Sequence, residues 1–338
     1  YNTALGTSSV RNNTTGNYSV GLGQGALYSN TTASYGTAVG FRAAYSNTTG
    51  ADNTAMGGNS LYTNSTGNFN VASGYASLRL NTTGSSNVGL GYESLKSNTT
   101  ASYNTAVGYQ ALLTNTTGSN LFAFGANTLR SNTTGNNNAA ISGLYSNTTG
   151  SNNTGLGMQA LNANTTASNN TAVGYQAGYS NTTGERNTAM GVQSLYTNTT
   201  GSFNSAFGRA ALYYNTTGQQ NVANGQDALF SNTTGSYNVA IGKSALETNT
   251  TANYNTAVGQ GSGRYNTTGT ENVMVGVAAL EDNTTGNYNA ALGSEALTNN
   301  TTGSFNTAVG RKSLYVNSTA SNNTALGYQA GYSTTTSP

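Results

Sequence analysis

Asn104-Thr105-Ala106-Val107-Gly108-Tyr109-Gln110-Ala111-Leu112-Leu113-Thr114-Asn115-Thr116-Thr117-Gly118-Ser119-Asn120 is the stretch that decides the fold, because the chain repeats it from end to end. With Asn104 as position 1, the unit has 17 positions. The tripeptide Asn-Thr/Ser-Thr at positions 12 to 14 marks each copy. Its Asn falls at Asn13, Asn30, Asn47, Asn64, Asn81, Asn98, Asn115, Asn132, Asn147, Asn164, Asn181, Asn198, Asn215, Asn232, Asn249, Asn266, Asn283, Asn300 and Asn317. Every step is 17 residues except the 15 between Asn132 and Asn147, and the last copy keeps only Thr334-Thr335-Thr336. Self-similarity of this kind is the signature of a repeat architecture in which each unit buries its face on its neighbours.

Seventeen residues cannot hold a full helix with its turns, and Asn, Thr and Gly form helices poorly. Positions 1 to 5 instead alternate, with bulky or β-branched residues at 2 and 4 and small ones at 3 and 5, the period of a strand. A second short strand is expected at positions 7 to 10. Asn-Thr-Thr-Gly is expected to close the coil as a turn, its Asn and Gly accepting positive φ. The predicted fold is all-β: a parallel β-solenoid, or β-roll, of about twenty 17-residue coils. We expect one repeat domain over 1–338, cut from a longer chain, with one shortened coil at 138–152. That coil lacks two residues around positions 6 and 7, which places this bend at the surface, where length changes are tolerated.

Stacking in register turns each position into a column, and positions 2, 4 and 9 are expected to form apolar columns. Three apolar side chains per coil are too few to offset the ordering of its backbone. Backbone ladders and neighbouring chains have to supply the difference. The small residues at 3 and 5 read either as a smooth chain–chain contact face, since a second backbone can approach them closely, or as close packing within the coil.

Composition excludes several functions. The chain has no Cys or His, so disulfides, Cys–His metal sites, thiol nucleophiles and a histidine base are ruled out. Only 20 residues are charged, with a net charge of +2, which leaves no electrostatic footprint for nucleic acid. Low hydrophobicity signals disorder only alongside high net charge, which is absent here. No run of 18 apolar residues spans a membrane, and no signal peptide is legible at Tyr1. Glu281 and Asp282 are adjacent, so in a strand they would face opposite ways. Pieces such as Gly21-Leu22-Gly23 are not followed by a helix, which argues against a phosphate loop. No enzyme, cofactor, catalytic residue or metal is expected.

Two columns offer surface chemistry. Asn-x-Thr is an N-glycosylation acceptor in secreted proteins, so all nineteen Asn from Asn13 to Asn317 are candidate sites. Glu247 and Glu281, two residues before Asn249 and Asn283, resemble the longer bacterial acceptor. Against this, glycans on every coil would stand under about 5 Å apart, and the motif also reads as a turn whose amides bond from coil to coil. The Asn at position 1 is expected to form a further amide ladder. Tyr recurs at positions 6, 10 and 17, where rings can stack from coil to coil or present area to sugars and other surfaces.

Positions 1 to 5 resemble the head repeat of trimeric autotransporter adhesins, close to Asn-Ser-Val-Ala-Ile-Gly. Asn238-Val239-Ala240-Ile241-Gly242 is the best local match. Asn-Thr-Ala-Val-Gly-Tyr-Gln-Ala is also similar to repeats in bacterial and phage proteins labelled tail-fibre-like. These resemblances imply a left-handed β-roll, three chains side by side and a role in surface attachment. Family repeats are shorter, near fourteen residues, and come with a coiled-coil stalk, an anchor and a C-terminal chaperone that 1–338 does not contain. Gly184, Asn187, Ala189 and Gln193 resemble curli-type functional amyloid repeats, which implies a self-polymerising matrix filament. Open ladder edges favour such growth, with Pro338 as a stop. An ice-binding Thr array is disfavoured, because Thr14 and Thr15 and their equivalents alternate faces. The expected protein is an extracellular or cell- or virion-surface fibre or adhesive shaft. Its partners are itself, as a homotrimer or end-to-end polymer, and cell-surface glycans or other surfaces, with no nucleic acid and no membrane insertion.

Overall fold

The computed structural model describes residues 1–333. Thr334-Thr335-Thr336 and the stop assigned to Pro338 lie outside the described residues. The chain divides into two units, Tyr1–Ser168 and Asn169–Pro338. The first holds ten strands, β1 (Thr3–Leu5) to β10 (Thr154–Leu156). The second holds ten more, β11 (Thr171–Val173) to β20 (Thr324–Leu326). No helix occurs among the described residues. Each strand is three residues long, and within each unit it pairs in parallel with the strand of the next coil, equivalent residues in register. Thr105, Ala106 and Val107 thus lie beside Phe122, Ala123 and Phe124. The chain is a parallel β-solenoid with one coil per 17 residues, as its period predicts.

The second strand expected at positions 7 to 10 is not there. That segment is a run of turns with left-handed residues at positions 7 and 9, for example Gln110 (φ 52) and Leu112 (φ 52). Left-handed backbone costs an L-residue about 1–2 kcal/mol, and two-way bonding offsets it. Gln110 N donates to Tyr92 O of the preceding coil at 2.9 Å, and Leu112 N to Thr128 O of the following coil at 3.0 Å. The turn segment therefore still ladders to both neighbours. Positive φ also falls at positions 5 and 17, not within Asn-Thr-Thr-Gly as expected. At position 5 glycine is required twice over. Gly91 sits at φ +134, and a Cβ there would lie 2.4 Å from the Gly108 carbonyl oxygen of the next coil.

The interior also departs from expectation. Ala106, Ala111 and Leu112 are fully buried together with Asn104 and Asn115, whereas Thr105 and Val107 point outward and are half-buried. Position 9 is thus an apolar core column, but positions 2 and 4 are not. The small residues at position 3 fill the coil rather than offering a contact face, because a 17-residue coil leaves no width for bulky side chains on both sides. The shortened coil conforms to this plan. Ser142 N still bonds Phe124 O, Leu144 N still bonds Ala160 O, and Leu144 remains fully buried, so the two missing residues come out of the outer corner.

One coil shows how tightly the interior is matched. Gly263 replaces the usual Leu at position 9, and Met274 replaces the usual small residue at position 3 of the following coil. A Cβ on Gly263 would lie 2.3 Å from Met274 Sδ, so the fully buried methionine fills the space the missing leucine leaves. Met274→Ala is expected to cost about 2–5 kcal/mol in denaturant unfolding. Gly263→Leu alone should destabilise by overpacking. The double variant, which restores the arrangement of the other coils, should recover most of the loss.

Candidate functional site

Two asparagine columns run through the interior and, wherever position 1 is Asn, meet on one carbonyl of the coil. Asn104 Nδ2 and Asn115 Nδ2 each donate to Gly118 O at 2.9 Å. Asn115 Nδ2 also donates to Asn98 Oδ1 of the preceding coil at 3.0 Å. Asn104 Oδ1 accepts the backbone N–H of Leu121 in the next coil at 3.0 Å. Position 1 thus forms the amide ladder its sequence suggests, in a mixed form that alternates side chain and backbone.

This geometry bears on the two readings given for Asn13, Asn30 and their equivalents. Asn30 to Asn317 at position 12 are all buried, and Asn13, in the first coil, is half-buried. Asn249 Nδ2 spends one proton on Asn232 Oδ1 (2.8 Å) and the other on Ala252 O (3.2 Å). Asn283 Nδ2 does the same toward Asn266 Oδ1 (2.7 Å) and Gly286 O (3.0 Å). An N-linked sugar would replace one of these protons and needs solvent on the amide, so this burial favours the turn reading. The companion reading, a turn whose amides bond from coil to coil, is what the structure contains. Peptides spanning Asn249 and Asn283 from a glycosylating secretory host are expected to carry no sugar by mass spectrometry. Sugar on both would mean that the coils do not close this way.

The outer surface is sorted by position. Positions 2 and 4 carry no charged residue in any of the twenty coils. Met56, Leu90, Phe122, Phe124, Ile141, Met190 and Ile241 on this face are exposed. Ser73 and Asn224 are the polar exceptions at position 4. All twenty charges stand at positions 6, 7, 10, 11, 16 and 17. Some of them form adjacent-coil or same-turn pairs such as Arg264–Glu247 (2.8 Å) and Lys96–Glu93 (2.6 Å). The Lys96 hydrogen bond holds the Glu93 carboxyl below the usual range.

The tyrosines stack from coil to coil. Tyr28, Tyr45 and Tyr62 at position 10 are 4.8 and 5.3 Å apart between ring centroids. Arg11 and Arg79 lie over the outer rings of this stack, a favourable cation–π placement. Because ring faces are taken up by neighbouring rings, face-on contact with a sugar falls to isolated exposed rings such as Tyr103 and Tyr175.

Threonine at position 14 is present in all nineteen copies and exposed in each. The Thr83 and Thr117 hydroxyls make no hydrogen bond among the described residues. Its neighbour at position 13 turns inward, as Thr116 Oγ1 does in donating to Thr133 O at 3.0 Å. The two threonines alternate as expected and make no Thr-x-Thr array.

Glu281 and Asp282 lie in the turn segment rather than in a strand. Burial raises both carboxyls, and the neighbouring Asp282 raises Glu281 further. Among the described residues no three carboxylates gather into a group that would hold a metal ion. With Asp282 raised, the folded state binds its proton more tightly than the unfolded state. Stability therefore falls as pH rises from the ordinary carboxylate value through the raised one, and the penalty persists above it. Asp282→Asn should raise the melting temperature at about pH 7, and the gain should vanish at about pH 3, below both values.

Compared with known proteins, the chain matches no protein-family model. It also matches no curated protein.

Proposed function

We propose that this chain is a structural segment of an extracellular fibre or adhesive shaft, non-catalytic, whose copies pack side by side through the outward strand face. The observation that carries this reading is the charge-free outward face of positions 2 and 4, apolar at position 4 except for Ser73 and Asn224, and Thr or Ser in eleven of twenty coils at position 2. Within one unit, ten coils at about 4.8 Å spacing and a strand-plus-flank width of about 13–20 Å give a face on the order of 800 Å². Soluble monomers rarely leave contiguous apolar surface of more than a few hundred Å², such as the position-4 column offers, uncovered, and about 800 Å² per partner is the area of a standard stable interface. The resemblance to trimeric adhesin heads and tail-fibre repeats agrees with lateral packing. The contact face differs from the one read in the sequence: the small residues at position 3 are interior, and the bulky residues opposite them are offered outward.

Light scattering tests this reading against the chain mass of 34.4 kDa. A discrete oligomer is expected, a species near three chains in the trimeric form. Val107→Asp together with Val258→Asp should reduce it to monomer, because each half-exposed position takes a charge without entering the core. A native protein that is monomeric at high concentration, or an oligomer indifferent to both charges, would remove the strand face as an interface. Open-ended polymers would favour the self-polymerising matrix filament instead.

A further inference from the structure

Three exposed aromatic stacks have a geometry that internal stabilisation does not use up. Tyr75, Tyr92 and Tyr109 at position 6 have centroids 5.6 and 5.5 Å apart, with ring planes 19° and 10° from parallel. Tyr237 and Tyr254 at position 17 stand 5.0 Å apart at 10°. Tyr18 and Tyr35 stand 5.4 Å apart at 9°. All are 45–60% exposed, unlike the half-buried stack at position 10. Each therefore holds two or three phenols from equivalent positions of adjacent coils within van der Waals reach, with their edges open to solvent. The chain contains no cysteine with which to join coils covalently.

We propose that these exposed tyrosine stacks are oxidative cross-linking sites, at which neighbouring coils of one chain are joined by a carbon–carbon bond between rings. The oxidant is hydrogen peroxide used by a haem peroxidase. Each phenol gives up one electron and its hydroxyl proton, and the two phenoxyl radicals couple at ring carbons ortho to oxygen. Each coupled carbon then loses its hydrogen as a proton while the phenoxyl oxygen regains one. Two phenols and one hydrogen peroxide thus give one biaryl and two waters. The coupling needs two rings already neighbours, which the coil spacing supplies and a short side-chain rotation completes.

The molecule carries its own controls. Tyr103 occupies position 17 and is 66% exposed, and Tyr175 occupies position 6 and is 41% exposed. The column neighbours of Tyr103 are Ser86 and Asn120, and Val192 follows Tyr175 in its column, so neither has an adjacent ring within its unit. If exposure alone governed coupling, these two would react as readily as the stacked tyrosines.

The experiment treats the full chain, at about 1 μM, with a haem peroxidase and limiting hydrogen peroxide, and maps the cross-linked peptides by mass spectrometry. Blue biaryl fluorescence is followed in parallel. Cross-links are expected between Tyr75 and Tyr92, Tyr92 and Tyr109, Tyr18 and Tyr35, and Tyr237 and Tyr254. A ring held within the same molecule is present at an effective concentration in the mM range, so these should exceed links through Tyr103 or Tyr175 by on the order of 10²–10³. Tyr92→Phe should remove the links at Tyr75 and Tyr109 and leave Tyr237–Tyr254 unchanged. Phe is native to these columns, at Phe41 and in the Tyr288–Phe305 stack, so this variant keeps its fold. Equal use of stacked and isolated tyrosines, an absence of biaryl, or persistence of the Tyr75 and Tyr109 links in Tyr92→Phe would each overturn the proposal. Lateral packing of copies is not needed for any of these outcomes, so this test and the light-scattering test fail separately.

Discussion

The coil depends on one carbonyl. In most turns of the solenoid the oxygen at position 15, Gly118 in the coil quoted above, receives the amides of two asparagines; where Ser19, Gly36 or Leu121 stands at position 1, the position-12 asparagine bonds it alone. A buried amide without partners is costly, and here each amide finds one partner within its coil and another in the next. The pair therefore sets the distance between the two walls and the distance between coils at once. The interior then has to match a width fixed by polar contacts, which is why it admits one leucine and a few methyl-sized groups per level. The hydrophobic effect fills this frame more than it shapes it.

A narrow interior reverses the usual assignment of faces. In a sheet packed on a broad core, the larger residues of an alternating strand turn inward. Here Ala106 is inside and Val107 half-exposed, because a side chain at position 3 already meets the position-9 leucine of the coil before it, as a Cβ on Gly155 would lie 3.2 Å from Leu144. Gly263 and Met274 illustrate the same limit from the other direction: a large residue enters at position 3 only where the residue it would meet has been reduced to hydrogen. The outward valines, leucines and phenylalanines are thus a consequence of interior volume, and that surplus of exposed apolar surface is what any account of function has to explain.

How far this was legible in the sequence follows from the kind of signal each feature leaves. Spacing carries the coil length, the parallel register and the location of the missing residues at 138–152, since all three are properties of the repeat as a string. The amide ladder at position 1 and the ring stacks were legible because identical residues one coil apart must lie over one another. Period-two alternation, by contrast, distinguishes two faces without saying which is inside, and Val107 was placed on the wrong one. The left-handed residues at positions 7 and 9 were hidden as well. Gln110 and Leu112 carry no glycine or asparagine signal, and their conformation is held by bonds to coils above and below. The sequon Asn at position 12 carries the same letters whether its amide is exposed or buried, and only the walls around it decide.

The 15-residue coil has a consequence for how such a chain can change length. Its leucine and its ladder bonds occupy their ordinary places although two residues are gone. The fold thus counts whole levels strictly and is lenient about the arc of chain at one corner. Recombination between near-identical segments adds or removes complete levels, and each new level meets neighbours chemically equivalent to those it replaced. The protein is in this sense a ruler whose graduations are single coils, lengthened or trimmed without a joint to redesign.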